Sequence, residues 1–320
     1  MNRVEKIGIT IITGFLGAGK TTFINQLLKH NPETQFALVE NEFGEVSIDT
    51  KLIKGVDASQ MFELKQGCIC CTISDEFELV LQELAERFPN VEHLLIETTG
   101  IADPASVIRP FFTDEKLKKM YRYNGTICLV DAVNFENSPE KEITIKQLVV
   151  ADLVLVSKTE KISGIQKDIL RKTLQKINPF AEIQFSQLTE ANFLATFGGL
   201  ELRNKLLNIT DSILQNQKAK FHFTGISTSH SKLSSKTLRF NKPLKREEFI
   251  RWLTYTLDIY KNEFYRTKGI LCIENEPFEY ILQGVGGSFE LVEGEEFVQS
   301  EKSVIVFIGK NIPDIQLNYV

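Results

Sequence analysis

Several features are scarce in this chain of 320 residues, and each scarcity removes a class of protein. No apolar run approaches the ~20 residues that span a bilayer, so no membrane-spanning helix is expected. The apolar stretch at 7–12 is too short for a signal-peptide core and runs into a glycine-rich loop rather than a cleavage site, so a cytoplasmic protein is expected. Glycine (19) and proline (9) are too few for a fibrous or low-complexity protein, and no internal repeat is visible. The four histidines, His30, His93, His222 and His230, form no tract, which argues against a His-rich metal store. Lys and Arg (37) against Asp and Glu (42) leave a net charge of −5, so neither nucleic acid nor an anionic membrane is expected as a partner. What remains has globular composition, 42% hydrophobic and 25% charged. Its length exceeds the roughly 250–300 residues at which a single core stops growing, so two domains are expected.

The first two-thirds alternate between strand-like and helix-like segments. A β-branched run at 7–13 precedes a helical segment at 20–29. Residues 36–40 read as a strand and 75–87 as a helix with Phe77, Leu81 and Leu84 on one face. Strands follow at 94–97, 126–130 and 153–157, then a helix at 164–176 and a strand at 182–186. Near-continuous apolar strands separated by helices imply an α/β domain with a mostly parallel sheet covered on both faces. The pattern changes after about residue 208. A polar stretch at 209–219 leads to strand-like segments at 220–226, 269–274, 278–283, 288–292 and 303–308, with a helix at 247–260. The expected division is therefore 1–208 and a smaller α+β domain at 219–320.

Gly14-Phe-Leu-Gly17-Ala-Gly19-Lys20-Thr21 fits G-x-x-x-x-G-K-[ST] between a predicted strand and a predicted helix, the context this phosphate-binding loop requires. The glycines let backbone N–H groups close around phosphate oxygens, and the helix N-terminus adds positive potential. The expected contacts are Gly14, Gly17, Gly19, Lys20, Thr21 and Thr22. Lys20 reaches the β/γ-phosphates and stabilises charge during catalysis, while the Thr21 hydroxyl coordinates Mg²⁺. A plain strand–helix turn would not explain Lys and Thr after the last glycine. Glu97-Thr98-Thr99-Gly100 closes another strand at the edge of the phosphate crevice. Glu97 is placed to hold Mg²⁺ through water or to orient the attacking water, and Gly100 N–H to donate to the γ-phosphate. Residues 41–45 occupy the position of a nucleotide-sensing loop, although taken alone they read as an ordinary acidic surface loop.

The loop does not choose between ATP and GTP. Ser157-Lys158-Thr159-Glu160 stands where GTPases carry N-K-x-D, with Ser for Asn and Glu for Asp. A Lys stem can lie over a purine, and a carboxylate can accept from both N1–H and N2–H₂ of guanine. A solvated loop after a strand is the plainer alternative. Three of the five cysteines, Cys68, Cys70 and Cys71, fall within four residues. Thiolates are soft ligands that suit Zn²⁺ or Cu⁺, and three of them leave a fourth tetrahedral zinc position for a carboxylate such as Glu42 or for a partner. Core cysteines or a Cys70–Cys71 redox pair are the alternatives. Cys128 and Cys272 lie inside apolar strands and read as core.

Taken in order, GFLGAGKTT, ENEFGEVSID, GCICC, LLIETTGIADP and SKTE resemble the CobW family of P-loop GTPases, kin of the HypB and UreG metallocentre proteins. YRTKGILCI and VIVFIGKNI resemble that family's C-terminal domain. The resemblance covers nearly the whole chain. It implies GTP hydrolysis, with Mg²⁺, coupled to handling of a transition metal, often zinc, through CxCC. Cys68, Cys70 and Cys71 become metal ligands, Glu97 the Walker B carboxylate, and a client metalloprotein the partner; a homo-oligomer is compatible with it. Two alternatives carry different functions: a nucleotide-dependent metal sensor without transfer, and an ATP-dependent P-loop metabolic enzyme.

Overall fold

The computed structural model describes residues 5–40, 75–136, 138–185, 233–296 and 302–315. The segment 41–45, Glu42, the three clustered cysteines and the expected strand at 220–226 lie outside the described residues. The chain divides into two compact units, Met1–Arg203 and Asn204–Val320.

The first unit is built on six parallel strands: β1 (Ile7–Gly14), β2 (Phe36–Glu40), β3 (His93–Glu97), β4 (Tyr121–Asp131), β5 (Leu153–Ser157) and β6 (Glu182–Phe185). They lie in the order β2-β3-β1-β4-β5-β6. β1 is central because IGITIITG is rich in β-branched residues and carries no charge, and all eight residues are buried. Helix α1 (Lys20–His30) packs Phe23, Ile24, Leu27 and Leu28 against Ile12, Leu38, Leu95 and Leu129 on one face of the sheet. On the same strands the alternation carries Glu97, two residues beyond Leu95, to that face. Helix α2 (Asp75–Arg87) brings Phe77 against Phe111, and its Leu81 carbonyl accepts from Tyr121 Oη at 2.6 Å.

Three short helices, α3 (Pro104–Ile108), α4 (Pro110–Thr113) and α5 (Glu115–Met120), fill a stretch that hydrophobic periodicity leaves blank. Their starts carry chemical signals instead, since Asp103 and Asp114 accept N-capping bonds and prolines open α3 and α4. Helix α6 (Lys141–Val150) is also not anticipated, because buried Thr144 and Gln147 interrupt its apolar stripe. Helix α7 (Gly164–Ile177) starts on a Ser163–Gln166 capping box and buries Leu170, Leu174 and Ile177.

The second unit is an antiparallel sheet in the order β10-β9-β8-β11-β7, made of β7 (Leu233–Phe240), β8 (Phe264–Cys272), β9 (Phe278–Val285), β10 (Ser288–Glu296) and β11 (Ser303–Lys310). Helix α8 (Arg246–Ile259) buries Phe249, Leu253 and Leu257 against Phe264, Leu282, Ile305 and Phe307. Strand β7 is an addition to the expected set. Its LSSKTLRF sequence is half-exposed and polar, as befits an edge strand.

Candidate functional site

The C-terminal ends of β1, β3, β4 and β5 converge on one crevice, where a parallel α/β sheet places its ligand. The loop leaving β1 turns through three left-handed glycines, Gly14 (φ 136), Gly17 (φ 75) and Gly19 (φ 101). At Gly14 a Cβ would lie 2.3 Å from the Leu129 carbonyl oxygen, so only glycine fits beside β4. Gly19 precedes α1 in place of a capping side chain, which leaves the first helical N–H groups for a ligand. Thr21 is half-buried and Thr22 exposed on the first turn of α1.

Lys20 is buried at 8% exposure, with Nζ donating to Gly14 O at 3.0 Å and lying 3.9 Å from Glu97 Oε1. Burial pulls its ammonium below the usual lysine range, and the charge of Glu97 offsets only part of that. A buried cation beside an open glycine loop is an arrangement that anionic phosphate would stabilise. The hard oxygens of Thr21 and Glu97 suit a hard cation such as Mg²⁺.

The turn after Glu97 is held by β1, by the phosphate loop and by α6. Thr98 N–H donates to Ile12 O at 2.9 Å, and its hydroxyl donates to Thr13 Oγ1 at 2.8 Å. At Gly100 a Cβ would stand 2.6 Å from the Leu16 backbone nitrogen, so this glycine lies flush on the loop. Gln147 of α6 donates to Gly100 O at 3.1 Å and Ala102 O at 3.3 Å. Lys146, next to it, pairs with Asp103 at 2.9 Å.

The 157–160 segment reaches the same crevice. Buried Ser157 holds the phosphate loop, with Oγ 2.7 Å from Ala18 O and 3.2 Å from Val130 O, rather than projecting into open space. Lys158 adopts φ 56 and pairs with Asp131 Oδ2 at 2.5 Å, while Glu160 is exposed on a 3₁₀ turn at Thr159–Lys161. Asp131 is a residue the sequence reading missed. Burial raises its carboxyl, but bonds from Lys158, the Asn134 amide and Val133 N–H outweigh that and hold it below the ordinary range. The pair joins the ends of neighbouring strands β4 and β5, a link that 27 residues of sequence conceal.

Cys128 and Cys272 are buried and in no disulfide, and burial pushes the Cys128 thiol up to about 12. Among the described residues no three His, Cys, Asp or Glu side chains come together to hold a metal. Nor is any described helix long and apolar enough to cross a membrane.

Residues 8–185 match the CobW/HypB/UreG nucleotide-binding domain, and 233–318 match the cobalamin synthesis protein cobW C-terminal domain. The zinc chaperone YjiA of Escherichia coli is 33% identical across 98% of this chain and 97% of its own. Zinc-regulated GTPase metalloprotein activator 1 of Schizosaccharomyces pombe is 28% identical across 97% and 84%. The crystal structure of Zn(II)-bound YjiA GTPase from E. coli superposes with a TM-score of 0.66 at 28% identity, covering 97% of this chain and 96% of that one.

Proposed function

Because this chain belongs to the CobW/HypB/UreG family, we propose that it is a GTP-hydrolysing zinc metallochaperone. In this reading a GTPase domain at 1–208, followed by a C-terminal domain at 219–320, controls zinc held by Cys68, Cys70 and Cys71 with Glu42. The zinc is cargo, passed to a client metalloprotein in the cytoplasm, where thiols stay reduced. The observation that carries the reading is the buried Lys20 between Gly14 O and Glu97, in a chain that matches a zinc chaperone from end to end.

The residues divide the work as follows. Backbone N–H groups of Gly14–Thr21 enclose the phosphates, and Lys20 neutralises charge that develops on the β- and γ-phosphoryl oxygens. Thr21 and Glu97 would hold Mg²⁺, which when bound would supply further positive charge for the phosphoryl groups. Glu97 orients a water in line with the γ-phosphorus. As the water oxygen bonds to phosphorus, the bond to the β–γ bridging oxygen breaks and GDP and phosphate result. Gly100 N–H donates to a γ-phosphoryl oxygen, so this turn distinguishes GTP from GDP. Lys158, steadied by Asp131, covers the purine, and Glu160 accepts from the guanine edge.

The test uses one purified sample. GTP and ATP hydrolysis are compared side by side, and zinc release to a chromophoric chelator is followed in each nucleotide state. GTP turnover well above ATP turnover is expected, with zinc released faster in one state than the other. Glu97→Gln is expected to lower kcat while leaving GDP affinity unchanged. ATP turnover equal to GTP turnover would favour a metabolic P-loop enzyme, and zinc release indifferent to nucleotide would end the chaperone reading.

A further inference from the structure

We propose that Gln147 is a positioning residue for GTP turnover: through the Gly100 and Ala102 carbonyls it sets the turn whose Gly100 N–H meets the γ-phosphate. The inference rests on the nucleotide reading above and adds a helix, α6, to the machinery that senses the γ-phosphate.

Gln147 is fully buried on a helix whose neighbouring buried residues are Leu148, Val149 and Val150. Its amide nitrogen donates at 3.1 Å to Gly100 O and 3.3 Å to Ala102 O, while its Oε1 has no partner among the described residues. A half-satisfied buried amide is costly, and an apolar side chain would suit this helix better for packing alone. The donor half therefore accounts for the residue, and both of its acceptors lie in one turn. The same turn is pressed against Leu16 N through Gly100 and tied to Lys146 through Asp103. Gly100 is thus held on one side by the phosphate loop and on the other by α6. Thr99, immediately before it, has a buried hydroxyl with no partner among the described residues, consistent with a turn whose polar groups are incompletely paired without nucleotide. Contact with a γ-phosphate needs this peptide placed within a few tenths of an ångström, which a two-point hold from a rigid helix provides.

Gln147→Met keeps length and removes the donors. It should lower kcat for GTP roughly tenfold and reduce the preference for a non-hydrolysable GTP analogue over GDP by a similar factor, with GDP affinity within about twofold of wild type. Lys146→Met, at a half-exposed position, should move both quantities the same way by a few-fold, and it carries the test if Gln147→Met does not fold. Thr144→Val softens the same helix by deleting the bonds to Ser138 and Glu140 O without touching the turn, and should leave the nucleotide preference unchanged. If Thr144→Val lowers the preference as much as Gln147→Met, the effect is general loosening of α6 and the proposal fails. Wild-type kcat and preference in Gln147→Met also overturn it. Should the wild type itself not turn over GTP, the nucleotide reading fails first and takes this inference with it.

Discussion

At Lys20, folding and ligand binding pull in opposite directions. The ammonium is withdrawn from water, and its partners, the Gly14 carbonyl and Glu97 at 3.9 Å, restore only part of the lost solvation. That cost is sensible only if a phosphate anion arrives to complete the pairing. Lys20→Met should therefore reduce GTP turnover by about 10²–10³, the usual loss for one preorganised charge-stabilising group. The thermal midpoint of the nucleotide-free protein should stay level or rise, since a buried charge has been removed. A midpoint several degrees lower, with turnover intact, would make Lys20 a structural residue. The base-reading residue invites a comparable test. Glu160 is exposed and Lys158 is held by Asp131, so a substitution at Glu160 perturbs the nucleotide edge without disturbing the fold. Glu160→Gln turns an amide donor toward a guanine edge that also donates, and should weaken GTP relative to ATP by about 1–3 kcal/mol. Equal weakening of both nucleotides in a competition assay would show that Glu160 does not read the base.

Among the elements, the parallel sheet was legible because its strands are apolar on both faces. The β5 and α2 limits coincide with those expected from sequence, as β-branched composition and an unbroken Phe77–Leu81–Leu84 stripe would suggest. Elements that obey other rules were not legible. Helix α6 hides behind buried Thr144 and Gln147, and β7 behind its polar edge-strand sequence. The phosphate loop announced itself by motif, whereas the Asp131–Lys158 and Gln147–Gly100 contacts join distant segments through register and packing that one sequence does not display. His93 was equally silent. It opens β3 beside Gly8 and Phe36, with Nε2 3.0 Å from Thr10 Oγ1. Burial first, and the charge of Arg122 second, push its pKa down to about 3. Between the unfolded value near 6.5 and about 3 the unfolded chain binds a proton that the folded chain refuses. The neutral ring's contribution is thus fully present above about pH 6.5 and is lost as pH falls toward 3. By pH 5.5 the loss should be about 1.4 kcal/mol. Urea unfolding of wild type and His93→Gln at pH 7.5 and 5.5 should show the stability difference between them shrink by that amount, and parallel behaviour would show that the histidine does not stay neutral.

The whole molecule is a family member whose relatives are named for zinc and for GTP, and a chain that handled both would invite thermodynamic linkage. The cysteine cluster at 68–71 lies in sequence between Glu42 and the Glu97 strand end, and both flanks are proposed to sense the γ-phosphate. Cys128 and Cys272 are buried in strands and, among the described residues, join no group of three potential metal ligands. Zinc affinity should therefore collapse in Cys70→Ser, since a hydroxyl is a hard and weak ligand beside a thiolate. If nucleotide gates the metal, zinc affinity must differ between the GTP-analogue and GDP states, with a typical coupling of about 1–3 kcal/mol, or roughly 5–150-fold. Reciprocity then requires zinc to change the ratio of GTP-analogue to GDP affinity by the same factor. Chelator competition gives the first quantity, and nucleotide titration with and without zinc gives the second. Cys70→Ser should abolish the zinc effect on nucleotide preference while leaving metal-free nucleotide binding as in wild type. Equal zinc affinities in the two states would reduce the protein to a GTPase and a metal site that share a chain without exchanging free energy.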